Sequence, residues 1–468
     1  MLKFTFSFLL IYFINFSIFA KSACVDKILE SPLIEKIDTN ASNKVNQANL
    51  FFDTSLNMVG FINSPSSSYK LFISELIKKT PLFSENQTFQ TYFANINTID
   101  VTDIGGVTTN EKFYQCPSEI PLSDCHKIKT KLSSVLTAVD LQSKDSVSII
   151  VTDLFLGVDE LLTKKNRDKI AKPLAKALNR GDAIGIFGIQ SSYEGKIFGI
   201  CTNNTQTKRT TYDGATSRPF FVILIGDKNV ILNFKEVMDE QVIPVIGAEK
   251  VEFNLFTNDI IKSPYYAAEW PTTSFKIGNG VTRGKVLENE RKDIIEFVIN
   301  KNHDPLGISV DLSKIKTPYT LPLSDFYAET QTYMQINDSG SCAEQWMDLG
   351  SSSNVTFFEQ ENDGTVLFNI LDSKNQDRLQ FQRNFNYIFQ IDFRAKKIAE
   401  SKNKLWMEEP EWTFSCEQSD QITDPESGRS KFPVLNLDTF SDLLKQIQEE
   451  NFKETSISQL NTVVHLRK

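Results

Sequence analysis

The stretch Ala48-Asn49-Leu50-Phe51-Phe52-Asp53-Thr54-Ser55-Leu56-Asn57 decides how this sequence is interpreted. It begins as a short apolar run and ends in an acid that is followed by small polar residues. A continuous apolar run is typical of a strand that is buried on both faces, as in a parallel sheet covered by helices. In such open sheets, ligands bind just beyond the carboxyl ends of the strands. The stretch therefore predicts a buried strand with a candidate site at its end.

The same pattern continues from residue 46 to residue 245. Further buried strands are predicted at Val147–Val151, Ala183–Ile189 and Phe220–Ile225. Between them, residues 69–77, 170–178 and 230–237 have helical spacing of apolar side chains, and Gly181 follows one of these segments as a stop signal. We expect an α/β domain over residues 46–245, with an open, mostly parallel, Rossmann-like sheet and helices on both faces.

The second half has a different pattern. Asp363-Gly364 separates two apolar segments, which is typical of a hairpin turn, and residues 378–394 alternate apolar and polar side chains. We expect a β-rich, sandwich-like domain over residues 246–420, in which Trp406 and Trp412 pack. Residues 421–468 are predicted to form a linker and a C-terminal helix.

The N-terminus predicts export. Lys3 precedes the apolar run Phe4–Phe19, and Ala20 ends it, which is typical of a secretory signal over residues 1–20 with cleavage near Ala20. Residues 21–45 form an N-terminal segment. No later run reaches the ~18 apolar residues that a membrane helix needs, so we expect no stable transmembrane span after cleavage. The protein is therefore predicted to be secreted or periplasmic in a bacterium; an uncleaved anchor and lipidation at Cys24 remain alternatives.

An even number of cysteines in an exported chain favours disulfides, because that compartment is oxidising. There are six cysteines. The hypothesis pairs neighbours along the chain: Cys116 with Cys125, Cys342 with Cys416, and by remainder Cys24 with Cys201. Six cysteines allow fifteen pairings, so this connectivity is one among many.

Composition excludes several classes of function. The chain has 468 residues and a formal net charge of −9, and an acidic surface does not neutralise nucleic-acid phosphates. It has only three histidines, which limits any mechanism that needs several imidazoles. The metal ligands that the sequence still offers are therefore the side-chain oxygens of Asp, Ser and Thr.

A set of oxygen-bearing residues follows the predicted strands. Asp53, Ser55 and Asn57 come after the first strand, Gly105-Gly106-Val107-Thr108-Thr109 lies further on, and Asp153 ends a later strand. Two carboxylates together with hydroxyl oxygens suit Mg²⁺ or Mn²⁺, with Ca²⁺ also possible. Without a metal, Asp53 and Asp153 would cap the turns that follow them.

This set resembles the metal-ion-dependent adhesion site of von Willebrand factor type A (vWA) domains. That family carries Asp-x-Ser-x-Ser after its first strand, a loop Thr often preceded by glycines, and an Asp at the end of its fourth strand. Asp53 and Ser55 match the first two ligands, and Asn57 stands where the second Ser is expected. Thr108 is the loop Thr, with Thr109 as the alternative, and Asp153 matches the last ligand. The resemblance covers about 200 residues.

The resemblance implies a binding or adhesion-type protein. A divalent cation would engage an acidic residue of a macromolecular partner, since the neutral Ser and Thr ligands leave the cation under-neutralised. Two alternatives are a metal-assisted phosphate-ester hydrolase that uses the same Asp53 and Asp153 edge, and a structural envelope component with a degenerate metal site.

Overall fold

The computed structural model describes segments in both halves of the chain. In the first half these are residues 44–92, 96–99, 104–114, 131–140, 145–156, 161, 164–202, 205–213 and 215–258. In the second half they are residues 275–276, 281–283, 294–299, 306–311, 323–335, 346–349, 355–360, 365–370, 386–398, 405–418, 431–451 and 455–466. The predicted signal peptide, the predicted N-terminal segment up to residue 43, and Cys24, Cys116, Cys125 and Cys342 lie outside the described residues.

The strands of the first half are β1 (Val45–Asp53), β2 (Ser84–Tyr92), β3 (Ile96–Ile99), β4 (Ser146–Thr152), β5 (Ala183–Ser192), β6 (Lys196–Thr202), β7 (Thr205–Asp213), β8 (Ser217–Gly226) and β9 (Val251–Thr257). Those of the second half are β10 (Phe275–Lys276), β11 (Val281–Arg283), β12 (Ile294–Ile299), β13 (Leu306–Asp311), β14 (Leu323–Gln335), β15 (Trp346–Asp348), β16 (Val355–Gln360), β17 (Thr365–Ile370), β18 (Asn386–Ile398), β19 (Thr413–Phe414), β20 (Val434–Leu435) and β21 (Thr455–Leu466).

The described helices are α1 (Val59–Asn63), α2 (Ser68–Lys79), α3 (Ile104–Thr109), α4 (Leu132–Asp140), α5 (Lys164–Arg180), α6 (Lys228–Val237), α7 (Ile243–Ile246) and α8 (Leu437–Asn451). A π-helix, Met238–Val242, joins α6 to α7. Short 3-10 helices include Leu56–Met58 and Cys416–Gln418. Every strand and helix that the sequence predicted between residues 147 and 237 is present.

A seven-stranded sheet in the order β3-β2-β1-β4-β8-β5-β9 organises the first half. The α/β class is as predicted, and the sheet is mixed. Strand β1 pairs in parallel with β2 and β4, and the other four pairings are antiparallel, so four strands run one way and three the other.

Strand β8 runs against β4, where the sequence predicted a parallel neighbour. The reason is the connection that leads from β5 to β8. A parallel return needs a crossover of a dozen or more residues, usually a helix. The described residues between β5 and β8 instead form an antiparallel pair, β6 with β7, which we call the hairpin.

Alternating side chains of β8 show that both faces of the sheet are covered. Phe220 packs on Phe72 of α2, at 5.4 Å between ring centroids. Phe221, the next residue, points to the opposite face and stacks on Trp406. Helix α2, which carries Phe72, contacts β5, and α6 contacts β5 and β8. Helix α8 contacts the 3-10 helix that contains Trp406 and packs on α5, which in turn contacts α4 and β5.

Trp406 and Trp412 pack on the α/β sheet rather than in the β-rich part, so that prediction is wrong. The two rings lie 4.7 Å apart, and Trp412 is fully buried. A Cβ atom on Gly188 of β5 would lie 2.6 Å from Trp406 and 2.8 Å from Trp412, so only glycine leaves room for the two rings. Local sequence did not reveal this contact, because Gly188 and Phe221 lie more than 180 residues before the two tryptophans.

The C-terminal helix α8 belongs to the same core. It contacts α5 and β9, and Gln448 donates a hydrogen bond from Nε2 to the carbonyl oxygen of Thr257, 2.8 Å away. A helix is therefore present within residues 421–468, at Leu437–Asn451, where it packs on the α/β domain and is followed by β21. No helix among the described residues has the length and apolar character needed to span a membrane.

Two larger sheets contain most of the described strands of the second half, and β19 pairs separately with β20. One has the order β11-β12-β21-β18-β14-β15 and the other β10-β13-β17-β16. The predicted hairpin is the antiparallel pair β16 and β17. The sequence did not predict β21, which follows α8 and inserts between β12 and β18. Its pairing partners lie far away in sequence, so nothing local marks it as a central strand.

Candidate functional site

Asp53 ends β1 and is fully buried. Its Oδ1 accepts a hydrogen bond from the main-chain N–H of Ser55 at 2.8 Å, and its Oδ2 accepts one from Oγ1 of Thr152 at 2.7 Å. The first bond is the local turn that an Asp makes with the residue two positions on. The second ties the end of β1 to the end of β4.

Asp153 follows β4 directly and is also fully buried. Its Oδ1 accepts a hydrogen bond from the main-chain N–H of Phe155 at 3.1 Å. Between them, Leu154 adopts a positive φ of 49°. Such a conformation costs a leucine of order 1–2 kcal/mol, so the surrounding packing must impose it.

The parallel pairing of β1 and β4 brings the two acids to one edge of the sheet. Phe52 is in register with Val151, so the residues that follow them, Asp53 and Thr152, are neighbours. Asp153 then comes next to them at the carboxyl end of the sheet. This is the position at which the sequence placed the candidate site.

Ser55 lies beside Asp53 and precedes the 3-10 helix Leu56–Met58. Its hydroxyl is fully buried and has no hydrogen-bond partner among the described residues. An unsatisfied buried hydroxyl costs about 1–3 kcal/mol, and a water or an ion commonly explains one. Ser55 is therefore the predicted ligand whose geometry agrees best with a bound species.

Asn57 hydrogen-bonds to the main chain of β6. Its Oδ1 accepts a hydrogen bond from the main-chain N–H of Phe198 at 2.7 Å, and its Nδ2 donates to the carbonyl oxygen of Phe198 at 3.3 Å. The carboxamide thus pairs with β6 as another strand would. In this conformation Asn57 holds the hairpin and does not offer its oxygen to a metal.

The predicted loop threonine lies in a helix. Thr108, and its alternative Thr109, are the last two residues of α3. Val107 in the same helix is buried, and its carbonyl oxygen accepts a hydrogen bond from the hydroxyl of Tyr114 at 2.6 Å. Burial raises the pKa of Tyr114 well above its usual value, and so do the neighbouring Tyr69 and the charge of Asp53. The phenol therefore stays neutral and acts as a donor.

Arg218 is a charged residue of this cluster that sequence reasoning missed. It lies in β8, has no exposed surface, and places Nη2 3.4 Å from Oδ2 of Asp153. The guanidinium carbon lies 5.4 Å from the ring centroid of Phe155 and 5.1 Å from that of Tyr193. The sequence signal was an arginine directly before an apolar strand, which by itself indicates only a strand start.

Tyr193 and Glu194, which lead into the hairpin, cover one side of this polar cluster. The hydroxyl of Tyr193 lies 3.1 Å from the carbonyl oxygen of Asn57 and 3.0 Å from that of Lys196. Burial raises the pKa of Tyr193 to about 12, and the nearby charge of Arg218 opposes that rise. The main-chain N–H of Glu194 donates to the carbonyl oxygen of Gly60 at 2.9 Å. The cluster is consequently closed to solvent on this side.

Gly60 permits the close approach of the hairpin, which gives a prediction. A Cβ atom at this position would lie 2.2 Å from the ring of Tyr193. Gly60→Ala is expected to lower the free energy of unfolding by about 1–3 kcal/mol, because the ring must move.

The matched control is Gly105→Ala, since a Cβ there meets nothing within 4 Å. In α3 that change should be neutral or stabilising by up to about 1 kcal/mol. Equal effects in urea titrations would contradict the prediction.

The hairpin carries Cys201, and its strand β6 contacts the 3-10 helix that begins at Cys416. Cys416 is disulfide-bonded, and it begins the 3-10 helix Cys416–Gln418, which contacts β6. Cys201 lies in β6. The sequence-based hypothesis pairs Cys416 with Cys342, which lies outside the described residues.

We expect Cys201 and Cys416 to be linked, because a disulfide requires Cα atoms within about 7 Å and their two elements are in contact. Digestion without reduction, followed by mass spectrometry, should recover the two peptides joined. Cys201→Ser should release one titratable thiol at Cys416. Recovery of Cys416 joined to Cys342 would disprove the pairing.

Whether these residues fit a divalent cation can be judged from their contacts. The buried hydroxyl of Ser55, which has no hydrogen-bond partner among the described residues, is compatible with a cation ligand. The carboxamide of Asn57 is occupied by main chain, and Asp153 already faces the positive charge of Arg218. The arrangement does not fit a cation that is open to a partner.

Comparison with known proteins gives no further assignment. No family model matches the chain, and no curated protein or solved structure matches it.

Proposed function

We propose that this chain is an exported, non-enzymatic binding protein, and that its α/β domain engages a macromolecular partner without a bridging cation. The resemblance of residues 53–57 and Asp153 to a vWA site supports the binding class. The observation that carries the proposal is the complete burial of Asp53 and Asp153, with Arg218 against Asp153. The cluster then serves to hold one edge of the sheet together.

The burial argues against the hydrolase alternative. Metal-assisted hydrolysis requires a water and a phosphate ester next to the metal. Asp53, Ser55 and Asp153 have no exposed surface, and Tyr193 closes the cluster on the hairpin side. A substrate would reach the two acids only after the residues that bury them had moved.

One observation favours the cation-dependent alternative. The hydroxyl of Ser55 is buried without a hydrogen-bond partner, beside a carboxylate. A Mg²⁺ or Mn²⁺ ion would satisfy it. For the ion to reach an acidic residue of a protein partner, the hairpin must leave Asn57 and Tyr193 must leave its two carbonyl contacts.

The test is capture of the partner from native envelope material, with and without a chelator. Wild-type protein and Asp53→Asn are compared, and circular dichroism checks that the variant is folded. We expect capture by wild-type protein to persist in chelator. Capture that is lost in chelator and returns with Mn²⁺ would establish the cation-dependent alternative. Absence of any partner in both conditions would favour a structural envelope component.

A second measurement addresses the hydrolase. Wild-type protein is incubated with a generic phosphate ester and Mg²⁺ or Mn²⁺, and product release is measured. We expect none. Hydrolysis that disappears in the folded Asp53→Asn variant would contradict the proposal.

A further inference from the structure

We infer that Arg218 is a built-in cation, which supplies to the Asp53 and Asp153 cluster the positive charge that a divalent metal supplies in a vWA-like site. This inference rests on the proposed function, since it explains how the cluster can exist without a metal. It concerns Arg218 only, and its test does not depend on finding a partner.

The first step is the charge of the cluster. Asp53 and Asp153 are both fully buried at neighbouring strand ends. A buried carboxylate is strongly disfavoured unless positive charge or hydrogen bonds compensate for its lost hydration. Asp53 accepts hydrogen bonds from the main-chain N–H of Ser55 and from the hydroxyl of Thr152. Asp153 has the guanidinium of Arg218, which provides a full positive charge.

The second step is the direction of β8. This strand is antiparallel to β4, with Phe221 in register with Thr152. Arg218 precedes Phe221 by three residues, so it projects beyond the carboxyl end of β4, where Asp153 lies. A parallel strand would have placed its own carboxyl end there. The strand that departs from the predicted arrangement is therefore the one that brings the cation.

The third step is the environment of the guanidinium. Its Nε and Nη1 atoms have no hydrogen-bond partner among the described residues, although the side chain is fully buried. The charge is held by Asp153 and by the faces of two aromatic rings, Phe155 and Tyr193. These surroundings stabilise a positive charge at this position. A second cation beside Asp153 would be repelled by the guanidinium in a low-dielectric interior.

The fourth step follows from removing that charge. With Arg218 replaced by a neutral residue, Asp53, Ser55 and Asp153 remain as two carboxylates and an unpaired hydroxyl. These are the hard oxygen ligands that Mn²⁺ and Mg²⁺ prefer. The variant should therefore acquire an affinity for a divalent cation that the wild-type protein does not have.

The test is thermal unfolding of the full mature chain with MnCl₂ or with the chelator alone. We expect the Tm of Arg218→Gln to rise with Mn²⁺ by roughly 5–10 °C at a concentration of about 100 times its Kd. The Tm of wild-type protein should not change. Arg218→Lys keeps the charge and should also be indifferent to Mn²⁺.

Two controls make the response specific. Arg180→Gln removes an arginine that pairs with Asp182 at 2.8 Å, away from the cluster, and should show no response to Mn²⁺. Asp153→Asn in the Arg218→Gln background should abolish the response, because it removes a ligand.

The outcomes are decisive in each case. A wild-type Tm that rises with Mn²⁺ as much as that of Arg218→Gln would overturn the inference, because the metal would then be native. No response of Arg218→Gln would overturn it as well. If that variant does not fold in buffer, its refolding is measured in Mn²⁺: recovery supports the inference and no recovery overturns it. Loss of partner capture by wild-type protein in chelator would contradict the proposed function. It would not change how these Tm measurements are interpreted.

Discussion

Asp153→Ala is expected to lower the free energy of unfolding by about 3–5 kcal/mol, which is a large fraction of the stability of a typical domain. The reason is the partner that is left behind. Arg218 has no exposed surface, and its Nη2 atom faces Asp153 at 3.4 Å. Without Asp153, the guanidinium remains buried between Phe155 and Tyr193 and lacks the carboxylate that it faces. Urea unfolding at neutral pH measures the loss.

A double-mutant cycle separates the pair from other effects of the substitution. Asp153→Ala combined with Arg218→Met removes both charges and should be markedly less destabilising than the sum of the two single changes. The matched control is Glu75→Ala, which breaks an ion pair with the exposed Lys78 and should cost at most about 1 kcal/mol. Additive single effects would show that the Asp153 and Arg218 charges do not interact.

Trp412→Ala is the second large effect, expected to cost about 3–5 kcal/mol. Trp412 is fully buried and packs against Trp406 and Phe221, close to Gly188 of β5. The cavity would open inside the α/β core, because the sheet and α8 fix its walls. Chemical denaturation followed by circular dichroism measures the cost.

An exposed apolar residue provides the control. Leu82 is 42% exposed, so Leu82→Ala should change the free energy of unfolding by less than about 1 kcal/mol. A chain that ends before residue 405 tests the same contact more severely. It should fail to unfold cooperatively, because the α/β sheet then loses Trp406, Trp412 and α8 on one face. Cooperative unfolding of that shorter chain would show that these segments are not part of the core.

Local patterns predicted the elements that surround the candidate site. The apolar run that ends at Asp53 became β1, and the run before Asp153 became β4. Each of these strands is specified by consecutive apolar residues that can be buried on both faces. The turn at each acid is equally local, since each carboxylate accepts a hydrogen bond from the N–H two residues on.

Contacts between distant residues decided what the site is. Asn57 looked like a metal ligand next to Ser55, yet its carboxamide pairs with Phe198, 141 residues away. Trp406 and Trp412 lie next to the β-rich half in sequence and pack on Phe221 of the α/β sheet. Neither contact has a signature in the residues around it.

The sequence by itself determined the two buried strands, the acids at their ends and the helices that flank them, because spacing along the chain sets these features. Only the tertiary structure decided that β8 runs antiparallel to β4. That direction places Arg218 against Asp153, and Tyr193, which precedes the hairpin, packs on the guanidinium. Strand direction and burial depend on long-range packing, which spacing between neighbouring residues does not encode.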